Sequence, residues 1–140
     1  MRSKIIRAAA RPTKKAPQES FTGVVLQDEV FAPEAPSRMR ATRVTFMPGA
    51  QTNWHTHAVG QVLYVLSGVG RYQLEGGDVE VLLPGDTVVI PPNARHWHGG
   101  APDHMMVHIA LSETNEKGEA TRWLEPVGEA DYRKEPARPQ

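Results

Sequence analysis

The stretch from Arg40 to Ser112 constrains the fold more than any other part of the chain. It is a succession of short segments rich in β-branched residues: ATRVTFMPG, NWHTH, QVLYVLSG, GRYQLEG, DVEVLLPG, DTVVIPP, RHWHGG and HMMVHIALS. Gly, Pro, Asn or Asp stands at the breaks between them. Apolar and polar residues alternate within the segments, as in half-buried strands, and helical periodicity is almost absent. Gly76-Gly77 suits a tight hairpin. Pro84-Gly85-Asp86 suits a second turn, because proline presets φ and glycine accepts backbone angles that other residues avoid. Many short strands must protect their edges, and a barrel or a double sheet does so. The expected class is therefore all-β, a barrel or sandwich.

The flanks fit one domain of this kind, as does the length of 140 residues. Residues 1–20 form a basic, proline-punctuated arm, expected to be flexible or to pair as a strand with a partner subunit. It lacks aromatic residues for stacking on bases, and the net charge of the whole chain is zero, so no nucleic-acid partner is expected. A first strand is expected over 21–26. The proline-rich stretch over 31–37 cannot be a central strand. The barrel is expected over 21–127, with Trp123 and Leu124 in a last short strand or packed against it. Residues 128–134 read as one or two helical turns with Tyr132 packed inward, and residues 135–140 as a disordered tail. No apolar run approaches the ~18 residues of a membrane span, and Ile5-Ile6 is too short for a signal sequence. The expected location is cytoplasmic.

Six histidines and no cysteine narrow the chemistry. Thiolate ligands, disulfides and a cysteine nucleophile are excluded. His55 and His57 share one strand face because side chains alternate, and Gln61 comes shortly after. A lone His-x-His is an ordinary strand feature. Here a second one, His96 and His98, stands beyond the turn at Gly85. Imidazoles with an amide oxygen suit manganese, iron, cobalt, nickel or zinc, and spacing does not choose among them. His98 reads as a pocket residue beside the ligands, or as a neighbour packing beside Trp97. His108 lies on a strand face with Met106 and Ala110. It either accepts a proton near the metal or is held by a core hydrogen bond. His104 has no assigned role.

The two stretches resemble the paired motifs of the cupin superfamily. The first, G-x5-H-x-H-x3,4-E-x6-G, aligns with Gly49, His55, His57, Gln61 and Gly68; the acidic position is a glutamine. The second, G-x5-P-x-G-x2-H-x3-N, aligns with Gly85, Pro91, Asn93, His96 and Gly100; Asn93 replaces a glycine and Gly100 an asparagine. The resemblance implies a single-domain cupin β-barrel (a double-stranded β-helix or jelly roll) with His55, His57, Gln61 and His96 as metal ligands. A narrower resemblance, running from about Phe21 to Tyr132, is to the bacterial cupin hydroxynitrile lyases. It implies one divalent metal per chain, with manganese favoured, and it maps their pocket histidines onto His98 and His108.

These readings combine into an expected metal-dependent carbon–carbon lyase that cleaves or forms cyanohydrins such as mandelonitrile. The alternatives are a metal-dependent dioxygenase of the quercetinase kind and a non-catalytic small-molecule-binding cupin. The expected catalytic residues are His108, His98 and Gln61, the last because glutamine leaves the ion's charge uncancelled where glutamate would reduce it. Val44, Phe46, Trp97 and Met106 are expected in the pocket wall, with Thr42 offering a hydroxyl. The expected partners are a small-molecule substrate and a second copy of the chain, as a homodimer or homotetramer, with no membrane.

Overall fold

Two antiparallel sheets face each other across the histidine-lined interior. The structure is a computed structural model, and it describes residues 2–137. Thirteen strands run in order: β1 Thr13–Lys15, β2 Phe21–Thr22, β3 Val25–Phe31, β4 Met39–Phe46, β5 Gln51–Thr52, β6 His55–His57, β7 Gln61–Gly68, β8 Gly70–Leu74, β9 Val79–Leu82, β10 Thr87–Ile90, β11 His96–Gly100, β12 Met106–Glu113 and β13 Thr121–Trp123. A single helical turn, α1, covers Glu129–Tyr132. One sheet has the order β1-β3-β4-β12-β7-β10. The other runs β13-β6-β11-β5-β2, with β8 pairing with both β11 and β9. No helix among the described residues is long and apolar enough to cross a membrane.

The alternating segments fold as read, and their turns sit where the punctuation places them. The first strand differs: Gly23 adopts a φ of +79°, so the backbone breaks into β2 and β3, and β3 continues to Phe31. The basic arm also differs. Thr13–Lys15 pairs with Leu26–Asp28 of the same chain, so this part is not free. An exposed β3 edge within reach offers it the same backbone hydrogen bonds that a partner would. At the other end, Tyr132 is 1% exposed and its hydroxyl donates to the Gly100 carbonyl at 2.6 Å. Of the tail expected to be disordered, Ala137 donates its N–H to the Val79 carbonyl at 2.8 Å, and residues 138–140 lie outside the described residues.

Strand register arranges the inner face of the first sheet into rows. Val65, His108, Val44 and Gln27 lie side by side across β7, β12, β4 and β3. Leu63, Ala110, Thr42 and Glu29 form the next row, and Gln61, Ser112 and Arg40 the one beyond. Along β4 the exposure rises from Phe46 (0%) and Val44 (5%) through half-buried Thr42 to exposed Arg40. The closed end is a core of Phe46, Met106, Val25, Val65 and Leu82. Burying each such side chain contributes about 1.5–3 kcal/mol. Gly68 makes the close approach that closes this end: its φ is +83°, and a Cβ there would lie 1.9 Å from the Met105 carbonyl oxygen.

Candidate metal centre

Three strands and both sheets bring the imidazoles together. β6 carries His55 and His57, and β11 pairs with it so that His96 lies opposite His55. The loop before β6 is pinned by the Asn53 amide, which donates to the carbonyls of Glu19 (2.8 Å) and Leu124 (3.1 Å). Ring centroids are 4.2 Å apart for His55 and His96, 4.9 Å for His55 and His57, and 5.3 Å for His57 and His96. Gln61 reaches the same interior from the first residue of β7. Its position depends on the turn before it, where the His57 carbonyl accepts the Asn93 N–H at 2.8 Å. Asn93 has a φ of +61°. That explains why asparagine can stand where the cupin motif has glycine, since its short polar side chain tolerates the left-handed region.

Each imidazole is oriented from behind. The Nδ1 of His55 donates to the Asn53 carbonyl and that of His96 to the Ala94 carbonyl, both at 2.9 Å. A carbonyl only accepts, so these nitrogens carry the proton and Nε2 keeps its lone pair. His57 Nδ1 meets the Thr121 hydroxyl at 3.1 Å. Hydrogen bonds of this kind behind a ring fix its tautomer in metal sites. On the inner side, the buried atoms without a partner include His57 Nε2, His96 Nε2, His98 Nε2 and Gln61 Oε1. Leaving such groups unpaired costs about 1–3 kcal/mol each, and a cation placed among them would satisfy them together.

The ligand atoms that lie mutually within 4.8 Å belong to His55, His96 and His98. By ring position, His57 is as close a neighbour of this group as His98, whose centroid lies 5.2 Å from His55 and 5.7 Å from His96. The site is thus a cluster of four imidazoles with Gln61, and His55 and His96 are common to both groupings. Burial holds every one of these rings neutral near pH 7. His57 and His96 are pushed down to about 4, His57 also by neighbouring His96. His55 and His98 lie well below the usual imidazole value, by burial and then by the adjacent rings. Neutral imidazoles are the form that binds a metal.

The cluster opens into a cavity of about 1040 Å³. Thr42, Val44 and Phe46 line it, as do His98 and His108. His108 Nε2 lies 3.0 Å from His98 Nδ1, and the edge of Phe46 packs against both rings. A β-bulge opposite Val107 and His108, where β7 carries Leu66 as an extra residue, bends the ladder beside His108. Burial pushes His108 down to about 4.

Two expected wall residues lie elsewhere. Trp97 falls between His96 and His98, so alternation turns it to the outer face of β11. There it packs with Trp54, Val79, Val127 and Tyr132, and its indole N–H donates to Gln73 Oε1 at 2.8 Å. Met106 shares a face with His108 but sits one row deeper, in the closed-end core beside Phe46. Its side chain fills the space over Gly70, where a Cβ would lie 2.7 Å from it. Trp123, expected only in a last strand or in packing, is a wall residue. β13 pairs with β6, placing Trp123 opposite His55, and the two rings lie with centroids 4.7 Å apart and planes tilted by 34°. Strand pairing across 68 residues of sequence creates that contact, and no local pattern announces it.

A model of the cupin domain matches residues 42–110. The chain is 43% identical over 130 residues to (R)-mandelonitrile lyase of Granulicella tundricola, a match covering 93% of this chain and 98% of that protein. The chain belongs to the cupin family. Among solved structures, this cupin resembles a cupin-like protein from Thermotoga maritima at 41% identity and a TM-score of 0.80, covering 85% of this chain and 90% of that one. It is also 35% identical over 66 residues to acireductone dioxygenase of Bacillus cereus, a match that covers 44% of this chain and 39% of the dioxygenase. Relatives named as a lyase and as a dioxygenase, together with a histidine group able to hold a metal ion, indicate an enzyme of the cupin superfamily.

Proposed function

We propose that this cupin is a metal-dependent hydroxynitrile lyase that cleaves and forms cyanohydrins such as mandelonitrile. The observation that carries the reading is the near full-length likeness to (R)-mandelonitrile lyase; the cavity supplies residues suited to the chemistry. His55, His57, Gln61 and His96 would hold one divalent ion, with manganese favoured. His98, which groups with His55 and His96 by ligand-atom distance, is assigned instead to proton handling with His108, 3.0 Å from its Nδ1. The ion would supply Lewis-acid polarisation of the substrate hydroxyl.

His98 and His108 are the proton-handling pair. One of the two facing nitrogens carries the hydrogen, so the outer nitrogens, His98 Nε2 and His108 Nδ1, are one bare and one protonated. Neither is engaged by another residue. The bare nitrogen takes the hydroxyl proton as the carbon–carbon bond breaks and the carbonyl forms. The electron pair of that bond leaves on cyanide. A proton shift across the 3.0 Å contact frees the opposite nitrogen's proton for cyanide, giving hydrogen cyanide and aldehyde. Phe46 and Val44 keep this end dry.

The test is cyanide release from mandelonitrile by protein of measured metal content. Release that scales with bound metal is expected, and none from fully loaded protein overturns the reading. The partial likeness to acireductone dioxygenase supports a second reading, metal-dependent oxygenation. Oxygen consumption by the same sample would favour it.

A further inference from the structure

Arg40 stands out among the cavity-lining residues because a pocket for a neutral aromatic cyanohydrin has no use for it. It continues the inner-face series Phe46, Val44, Thr42 and lines the cavity with them. The ion pairs among the described residues do not include it. The other charged side chains in the wall are Arg122 and Glu119. The Glu119 carboxylate accepts a hydrogen bond from the Asn115 amide at 3.0 Å. The candidate ligands bring no carboxylate, so a bound cation would keep its charge. A bound cation would make the cluster electropositive, and at the rim Arg40 and Arg122 stand against Glu119, with Glu29 beside Thr42 in the neighbouring row.

Register fixes how those points relate. Gln61, Ser112 and Arg40 are lateral neighbours on β7, β12 and β4. With strands about 4.8 Å apart, the Gln61 and Arg40 backbones are separated by roughly 10 Å. The Ser112 hydroxyl lies between them. A small aromatic molecule with its hydroxyl at the metal cluster would lie along this row, with its far end at Ser112 and Arg40.

We propose that Arg40, assisted by Ser112, recognises a carboxylate on the substrate, so that the cavity takes a hydroxynitrile bearing an acid group remote from its hydroxyl. This rests on the lyase reading above. A guanidinium presents a planar fork of donors that fits a carboxylate in two-point contact. The depth of the cavity stays apolar beside His108, and the rim carries the charge. Arg40 thus acts in specificity and binding, while His98 and His108 handle protons.

Two measurements on manganese-loaded protein test this. The first compares cyanide release from mandelonitrile and from its para-carboxylate. Wild type should show a KM about tenfold lower for the acid, with kcat little changed between the two. Arg40→Gln should bring that ratio close to one, and Arg40→Lys should keep part of it. Arg40→Met provides a second neutral side chain should the glutamine variant fold poorly, and added salt should narrow the wild-type ratio. The second measurement needs no turnover: calorimetric binding of 4-(hydroxymethyl)benzoate against its neutral amide, in the same variants. If neither nitrile yields cyanide yet the acid binds more tightly than the amide only when Arg40 is present, the lyase reading fails and the carboxylate site stands. If cyanide is released but acid and neutral compounds are handled alike, or the preference survives Arg40→Gln and Arg40→Met, the carboxylate site is overturned and the lyase reading stands.

Discussion

Gln61 is the residue on which the electrostatics of the site turn. Its Oε1 faces the histidine cluster without a partner, and it contributes a dipole where a glutamate would contribute a full negative charge. Gln61→Glu should retain metal, since a carboxylate is a stronger ligand, but slow cyanohydrin cleavage. Negative charge developing on the substrate oxygen at ~4 Å would be repelled by at least ~1 kcal/mol, roughly fivefold in rate. Metal analysis beside initial rates separates the two effects, and equal rates in both proteins would refute the charge argument. His108→Ala acts differently. It removes one end of the hydrogen-bonded pair without touching the ligands His55, His57, Gln61 and His96. The expected loss is on the order of 10²-fold or more at unchanged metal content. A His108→Ala protein as active as wild type would show that the pair is only structural.

At the level of elements, β13 is the support that sequence proximity does not reveal. Its pairing with β6 sets Thr121 behind His57 and Trp123 over His55. Thr121→Val removes the hydroxyl partner of His57 Nδ1 and leaves shape and strand pairing intact. Metal affinity should fall about 10–100-fold, measured by competition with a chelator, while the metal-free protein should lose no more than about 1–3 kcal/mol, the cost of one unpaired buried nitrogen. Gly68, at the end of β7, tests the closed end of the barrel. Gly68→Ala forces an L-residue into positive φ and a methyl group against the Met105 carbonyl. A destabilisation on the order of 3 kcal/mol is expected in urea melts, because the clash is with backbone.

For the whole molecule, the buried histidines set a pH dependence. His57, His96 and His108 are held near about 4, with His55 and His98 also lowered, whereas an unfolded chain protonates near 6.5. Between those values the unfolded state binds more protons, so stability must rise with pH through that window. The thermal midpoint of metal-free protein should be level above about pH 7 and fall steadily toward pH 4; a midpoint constant over that range would contradict the burial of these rings. Metal binding requires neutral imidazoles, which the folded protein keeps down to about 4 at His57 and His96, so folded protein should hold its metal through most of this window and release it only toward pH 4. At neutral pH, manganese at a hundred times its dissociation constant should stabilise by about 2.7 kcal/mol, and a chelator should reverse the gain.

The sequence by itself determined the all-β class, the strand segments between Arg40 and Ser112, and the sharing of one face by each His-x-His pair. All of these come from period-two alternation and turn chemistry, which are local. The grouping of His55, His57, Gln61 and His96 was legible as motif spacing, but their convergence required β6, β11 and β7 to meet across two sheets. Trp97 and Met106 show where local reading stops. Alternation already turns Trp97 away from its histidine neighbours, and depth along the barrel, a property of register among β7, β12 and β4, removes Met106 from the cavity. The pairing of β1 with β3, the contact of Trp123 with His55, the contact of His98 with His108 and the alignment of Arg40 with Gln61 all join residues distant in the chain. Only tertiary structure could decide them, because hydrogen bonding between strands, and not side-chain pattern, chooses which segments become neighbours.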